Sequence, residues 1–431
     1  MHSVAQVLEI VAVILLLGAV GEFIFSRTGI PDVIWLVCAG MLAGPVLELV
    51  SPSLLRPAVP LFGAIALIII LSGGASRLRL EDVAAAGPRA LLLGVGGFVF
   101  SLAACCLWLW LVTTMGLVAP APPLAWLVAG AIVGGTSSLI IMPTTAAGKI
   151  DSRTARLLEV EASSTDALSI VTTMVLLYLV VGGTLSLSRP VVALGRELGI
   201  GVGLGVLTAA LLILVAPSLK RNAHAYTVFL AAMLLVYGAA SHLEGSGAMA
   251  VLTAALLLGN ATSLVPRLIP GAKAQAFEIG ENARIVQDQM SFFIKSFFFV
   301  LIGLMFPTSP KLILLGAFPV LLLLAARIPA VWLATLGLGL SRKQSWMLII
   351  AVPRGLAAGV LSAIPVHYGI AGPDFPAAIF SLIVTSILVF CLGVALVGRM
   401  PDDAGRMPDP VRHETTSGSP LGGARDHSGR G

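Results

Sequence analysis

Thirteen apolar runs follow one another along the chain, separated by short stretches punctuated by proline, glycine and basic residues. They lie at approximately 4–25, 31–50, 57–75, 87–116, 122–144, 156–182, 191–217, 223–242, 246–263, 287–307, 311–338, 345–368 and 375–398. A helix needs about 20 mostly apolar residues to cross a bilayer core, and most of these runs are that long. Lipid offers no partner to a backbone amide or carbonyl, so each segment must satisfy its own, which makes the expected fold an all-α polytopic membrane protein. With 58% hydrophobic and 11% charged residues, the chain has too little polar surface for a soluble globular protein. The net charge of +5 is spread over short loops rather than one face, so no nucleic-acid partner is expected. The four cysteines sit in apolar runs with neither disulfide nor zinc spacing. The first run lacks a small-residue cleavage site and is read as a retained helix.

Loop charge gives an expected orientation. Arg27, Arg77, Arg79, Arg89, Lys149 and Arg153 fall on one side, with Lys220, Arg221, Arg267, Lys273, Arg342 and Lys343. The opposite loops offer Arg56, Arg189 and Lys311. Positive charge marks the cytoplasmic side, which puts the N-terminus outside and the C-terminus inside a plasma or inner membrane. After Val397 the composition turns to Gly, Pro, Asp, Arg and Ser. A transmembrane domain over 1–398 and a disordered cytoplasmic tail over 399–431 are therefore expected.

The run at 156–182 differs from the others. It carries Glu159 and Glu161 near its start and Asp166 about ten residues in. At 1.5 Å per residue, Asp166 lies about 15 Å from Arg156, near the middle of the hydrocarbon. An ionised carboxylate there costs about 2.5–3.5 kcal/mol even on a lenient scale, so it must face a partner or a wet cavity. Two readings follow: a structural acid paired to a neighbouring helix, or a carboxylate that exchanges protons and cations. Arg327, near the centre of the run at 311–338, is too deep to snorkel. Glu161 and Asp166 are five residues apart and point about 140° away from each other on a helix. Glu161 is accordingly expected to neutralise Arg327, leaving Asp166 for exchange. Lys295 lies nearer the cytoplasmic end of its segment and is read as structural, and Glu9, Glu22, Glu48 and Glu244 as interfacial groups at segment ends.

Two segments look broken. The fifth holds Gly134, Gly135, Thr136, Ser137, Ser138 and Pro143, and the twelfth holds Pro353, Arg354, Gly355, Gly359 and Pro365. Unwound backbone at membrane depth is tolerated where it lines a cavity or lies buried in protein. Breaks at corresponding places in two halves point to a transport site between inverted repeats, here segments 1–6 and 8–13 with segment 7 as linker. Thr136, Ser137, Ser138 and Thr165 supply neutral oxygens suited to a hard monovalent cation beside one carboxylate. Taken alone, such hydroxyls usually bond back to their own backbone. Arg354, beside the second break, is suited to offset carbonyl dipoles of unwound backbone or to act in transport directly.

These residues carry a resemblance. IPDVIWLVCAGMLAGP, LFGAIALIIILSGGASRLRLEDV, SGAMAVLTAALLLGN, FFFVLIGLMF and AVPRGLAAGVLS are together similar to the monovalent cation/proton antiporter superfamily, which includes sodium/proton exchangers and Kef-type systems. The similarity covers residues 5–398. It implies that Asp166 matches the family's ion-binding aspartate, Glu161 the glutamate five positions before it, and Arg327 the usual basic partner of that glutamate. It also implies a homodimer in which a core bundle moves against a fixed dimerisation domain. Two departures leave ion selectivity open: Thr165 stands where relatives carry Asn or a second Asp, and Thr136-Ser137-Ser138 replaces an acid-containing motif.

The resulting expectation is about 13 transmembrane helices in two inverted repeats with crossed broken helices. The chain is expected to be no enzyme, to need no cofactor or bound metal, and to have membrane lipid, monovalent cations and protons as partners. Exchange of Na⁺ or K⁺ for H⁺ is expected at Asp166, electroneutral because Thr165 supplies no second acid. A cation-coupled organic-solute symporter of similar fold is the alternative. An intramembrane hydrolase is a poor fit, since Asp166 has no second intramembrane aspartate and His224, His242 and His367 lack metal-ligand spacing. A cation channel would need the two breaks to form a continuous pore.

Overall fold

The computed structural model describes residues 4–28, 31–50, 59–77, 80–146, 150–181, 188–219, 224–268 and 281–401. Most of the expected tail, and Arg56, Arg79, Lys149, Lys220, Arg221 and Lys273 of the loop-charge pattern, lie outside the described residues. Among the described residues the chain is helical, with no strand.

The first helices are α1 (Val4–Thr28), α2 (Asp32–Met41), α3 (Val59–Arg77) and α4 (Leu80–Thr114). Pro45 lies in a π-helical turn, Leu42–Val46, that extends α2. Then come α5 (Pro123–Gly134), α6 (Ser138–Ala146), α7 (Ser152–Val181), α8 (Ser188–Leu219), α9 (Ala225–His242), α10 (Gly247–Gly259) and α11 (Ala261–Leu268). The rest are α12 (Glu281–Leu304), α13 (Pro310–Ala317), α14 (Pro319–Thr335), α15 (Arg342–Ile350), α16 (Leu356–Leu361), α17 (Ala363–His367) and α18 (Phe375–Gly398). Nine spans among the described residues are long and apolar enough to cross a membrane. Four shorter apolar stretches accompany them: Asp32–Val46, Gly63–Gly73, Gly247–Gly259 and Leu356–His367. Outward-facing side chains are apolar too; Leu214 and Leu235 are 76% and 74% exposed, which suits contact with acyl chains and not with water.

Packing sorts the helices into two groups. In one, α4 packs on α5, α7 and α14, α5 on α7, and α13 on α18. In the other, α2 packs on α1 and α12, and α10 on α3, α8 and α9. Small residues let backbones approach: Gly40 and Gly303 meet where α2 crosses α12, and a methyl group on either would run into the other helix's backbone.

The two breaks fall near the middle of their segments. Between α5 and α6 the chain is non-helical at 135–137, and between α15 and α16 at 351–355. Pro353 offers no amide, and Gly355 adopts extended angles (φ −141°, ψ −148°). Pro143 and Pro365 turn out to lie inside α6 and α17, so the unwound stretches are shorter than the glycine and proline pattern suggested. The eighth helix begins at Ser188 and carries Arg196 and Glu197 in its third turn.

Candidate functional site

The two breaks cross and are tied together by backbone. The Ser137 amide donates to the Pro353 carbonyl at 2.9 Å. Gly355 is required by this approach, since a Cβ there would fall on the Ser137 hydroxyl. Crossing places one helix end of each sign next to a charge. The N-terminus of α6 faces Asp166: the Ser138 amide and Oγ donate to Asp166 Oδ2 at 3.1 and 2.6 Å. Unpaired amides and the helix dipole both favour an anion there. At the C-terminal end of α5, Arg354 Nη1 donates to the Gly135 carbonyl at 2.8 Å. Its Nη2 donates to Ser101 Oγ at 3.1 Å, and its amide to Ser386 Oγ at 2.9 Å. Arg354 is 1% exposed, so its charge is met by these dipoles instead of water.

The remaining hydroxyls fix the first break against α7. The Thr136 amide donates to Thr165 Oγ1 at 3.1 Å, and the two hydroxyls lie 3.1 Å apart. Ser169 Oγ donates to the Ala131 carbonyl at 2.5 Å. Thr165 thus supports the unwound strand, while the half-buried Asp166 turns to α6.

Glu161 sits on another side of α7, against α14. Arg327 Nη1 and Nη2 donate to Glu161 Oε1 and Oε2 at 2.5 and 2.6 Å, and Nε donates to the Leu348 carbonyl at 2.6 Å. The two residues are 1% and 4% exposed, so this fork-to-fork pair is a buried one. It leaves Asp166 as the carboxylate at the crossing.

A cavity of about 670 Å³ opens beside the site, between the two helix groups. Ser138, Leu139, Met142 and Pro143 of α6 and Leu356 of α16 form one wall. Glu22 of α1 and Gln287, Asp288 and Lys295 of α12 line the other.

One pair escaped sequence reasoning. Lys295 Nζ lies 2.6 Å from Asp32 Oδ2, a close ion-pair contact out of line for a hydrogen bond, and 3.8 Å from Glu22 Oε2. Asp32 is 3% exposed although it begins its helix, directly after Pro31. Its position at a segment boundary hid it; the unmatched lysine in α12 was the available signal. Ser101 and Ser386 were also missed, because isolated serines in apolar runs carry no distinguishing pattern. The described residues hold no group of three or more His, Cys, Asp or Glu able to bind a metal.

Residues 11–398 match the family model described as sodium/hydrogen exchanger, transmembrane. The chain belongs to this exchanger family. It is 27% identical to the K(+)/H(+) antiporter NhaP2 of Shewanella oneidensis over 383 residues, which is 84% of this chain and 61% of that protein. It is 29% identical over 265 residues to Na(+)/H(+) antiporter 1 of Methanocaldococcus jannaschii, covering 57% of this chain and 58% of the relative. The chain thus spans about three fifths of the length of these curated relatives. In fold it is similar to the solved sodium proton antiporter MjNhaP1 of Methanocaldococcus jannaschii, with a TM-score of 0.69, 23% identity, and coverage of 91% of this chain and 96% of that one. The likeness to that structure is one of fold, at low sequence identity.

Proposed function

We propose that the protein is a secondary antiporter that exchanges a monovalent cation, Na⁺ or K⁺, for H⁺ at Asp166. The observation that carries this reading is one carboxylate at the crossing of two broken helices, hydrogen-bonded to a serine that lines a cavity. Asp166 accepts both hydrogen bonds from Ser138 on the same oxygen. A proton and a cation compete for the carboxylate, with Thr136, Ser137, Ser138 and Thr165 providing neutral oxygens and support around it. Names of relatives that specify either K⁺ or Na⁺ are compatible with both cations.

In this reading the nine long and four short apolar stretches are 13 crossings, arranged as two inverted repeats that each contribute one break. Transport proceeds by alternating access, the group containing α4, α5, α7 and α14 moving against the group containing α2, α10 and α12. The cavity between those groups is the inward-facing vestibule. Residues 1–398 form the transport domain and 399–431 a cytoplasmic tail, in a homodimer of the plasma or inner membrane with the N-terminus outside. The Asp166 side of the cavity is largely apolar apart from Ser138, which disfavours an organic-solute symporter.

Reconstituted full-length protein tests this. On addition of NaCl or KCl in turn, proteoliposomes holding a pH gradient should dissipate it with the native protein and not with Asp166→Asn. Undiminished exchange by that variant overturns the assignment.

A further inference from the structure

Glu159 is the acidic residue of α7 that exchange at Asp166 leaves unused. It stands seven residues before Asp166, so the two carboxylates share a helix face about 10 Å apart along the axis. α6 runs antiparallel beside them with the same spacing. Ser138 bonds Asp166, and Thr145 Oγ1 lies 2.5 Å from Glu159 Oε1. Ser163, four residues after Glu159 and three before Asp166, falls on the same face. A polar stripe therefore leads along α7 from the end that carries Arg153 to the exchange carboxylate.

The hydrogen bonding at Glu159 is replaceable, unlike that of the Glu161–Arg327 fork. The Thr145 hydroxyl has one proton and two acceptors in reach, Glu159 Oε1 and the Met142 carbonyl at 2.8 Å. If Glu159 takes another partner, Thr145 turns its proton to Met142 and presents its oxygen lone pairs to the same space. On the same helix Leu139, Met142 and Pro143 line the cavity. One carboxylate and one hydroxyl, completed by water, are oxygen donors of the kind a hard monovalent cation accepts.

We propose that Glu159 and Thr145 form a second monovalent-cation site, a staging carboxylate on the cytoplasmic side of Asp166. The proposal rests on Asp166 being the exchange site and on the loop-charge orientation. A cation held at Glu159 is desolvated in part before it displaces the proton at Asp166, so the site lowers the cytoplasmic KM without setting the maximal rate.

The test uses reconstituted full-length protein in vesicles of known sidedness, with NaCl and KCl as probes. Glu159→Gln keeps an acceptor for Thr145 and removes the charge. It should raise the cation KM on the cytoplasmic side by about 3–10-fold, leave the outer KM unchanged and keep the saturated rate within about twofold. Glu159→Asp should restore most of the native KM. An unchanged cytoplasmic KM, or an equal rise on both faces, overturns the proposal, because a merely structural role would not respect sidedness. If Glu159→Gln fails to fold, Thr145→Val carries the same test with the same two outcomes. Asp166→Asn in parallel separates the two ideas: exchange surviving in that variant removes the Asp166 reading, whereas a one-sided KM effect at Glu159 speaks to the staging site.

Discussion

At the scale of single residues, the membrane interior of this protein sorts its charges by replaceability. Glu161 and Arg327 satisfy each other with two short parallel hydrogen bonds, and Arg327 spends its third nitrogen on the Leu348 carbonyl. Removing either partner leaves an uncompensated buried charge and should cost about 3–5 kcal/mol, while Glu161→Gln with Arg327→Met should be milder than either single change. A thermal-melt double-mutant cycle in detergent reads this directly; simple additivity would show that the two do not depend on each other. The same logic applies to Lys295 and Asp32, whose carboxylate is 3% exposed. Lys295→Met alone should lower the melting temperature more than Lys295→Met with Asp32→Asn. Asp166 differs from both pairs. Its neighbours are a hydroxyl and an amide, so it can change partner without stranding a charge.

At the scale of elements, the helix ends do the electrostatic work. Crossing the breaks aims the N-terminus of α6 at Asp166 and the C-terminus of α5 at Arg354, and the close approach of Ser137 to Gly355 allows it. Gly355→Ala places a methyl group on the Ser137 hydroxyl and must push the two breaks apart. Cation-driven proton movement should fall by at least tenfold, a loss equivalent to about 1.4 kcal/mol, with the protein still inserted in the membrane. Unaltered exchange in that variant would mean the crossing tolerates displacement. The start of α7 is a second example. Asp151 accepts from the Arg153 and Thr154 amides at 3.2 and 3.1 Å, capping the helix that carries the site. Burial pushes its carboxyl up, but hydrogen bonding, from Thr154 above all and also from Gln344 and Arg153, outweighs this and holds it below its ordinary value. With a depressed folded-state pKa, its contribution is complete above the unfolded value and fades as pH falls through the folded one. Asp151→Ala should therefore cost about 0.5–2 kcal/mol near neutral pH, and the difference from native should shrink in acid. Melting curves recorded from pH 7 down to about pH 3 check the sign.

At the scale of the whole molecule, the question is what a full cycle does in a membrane potential. Glu161 is committed to Arg327, and Thr165 holds Thr136, so the proposed exchange has Asp166 alone to alternate between proton and cation. On that proposal one proton should return for each monovalent cation, and the potential should do no net work. An electrogenic cycle moving one net charge would instead feel about 2.3 kcal/mol per 100 mV. In proteoliposomes with a clamped potential, the pH gradient that balances a given cation gradient should stay fixed as the potential is varied. A shift of the balance point would require a second titrating group.

The sequence alone determined the all-helical membrane class and the positions of the apolar segments, because hydrocarbon imposes a length and forbids unpaired backbone. It also singled out Asp166, Glu161, Arg327 and Arg354, since a charge in an apolar run is costly wherever it falls. The glycines and hydroxyls marked both breaks, although Pro143 and Pro365 blurred their limits. Tertiary structure alone decided partnership. At a segment boundary Asp32 carries no signal of the Lys295 that closes over it, and Glu159, near the start of its run, none of the Thr145 that comes beside it from α6. Ser101 and Ser386 acquire meaning from Arg354, which lies 253 and 32 residues away along the chain. Periodicity within one helix shows which face a residue takes. Which helix meets that face is set by packing between segments far apart in sequence, and no local pattern encodes it.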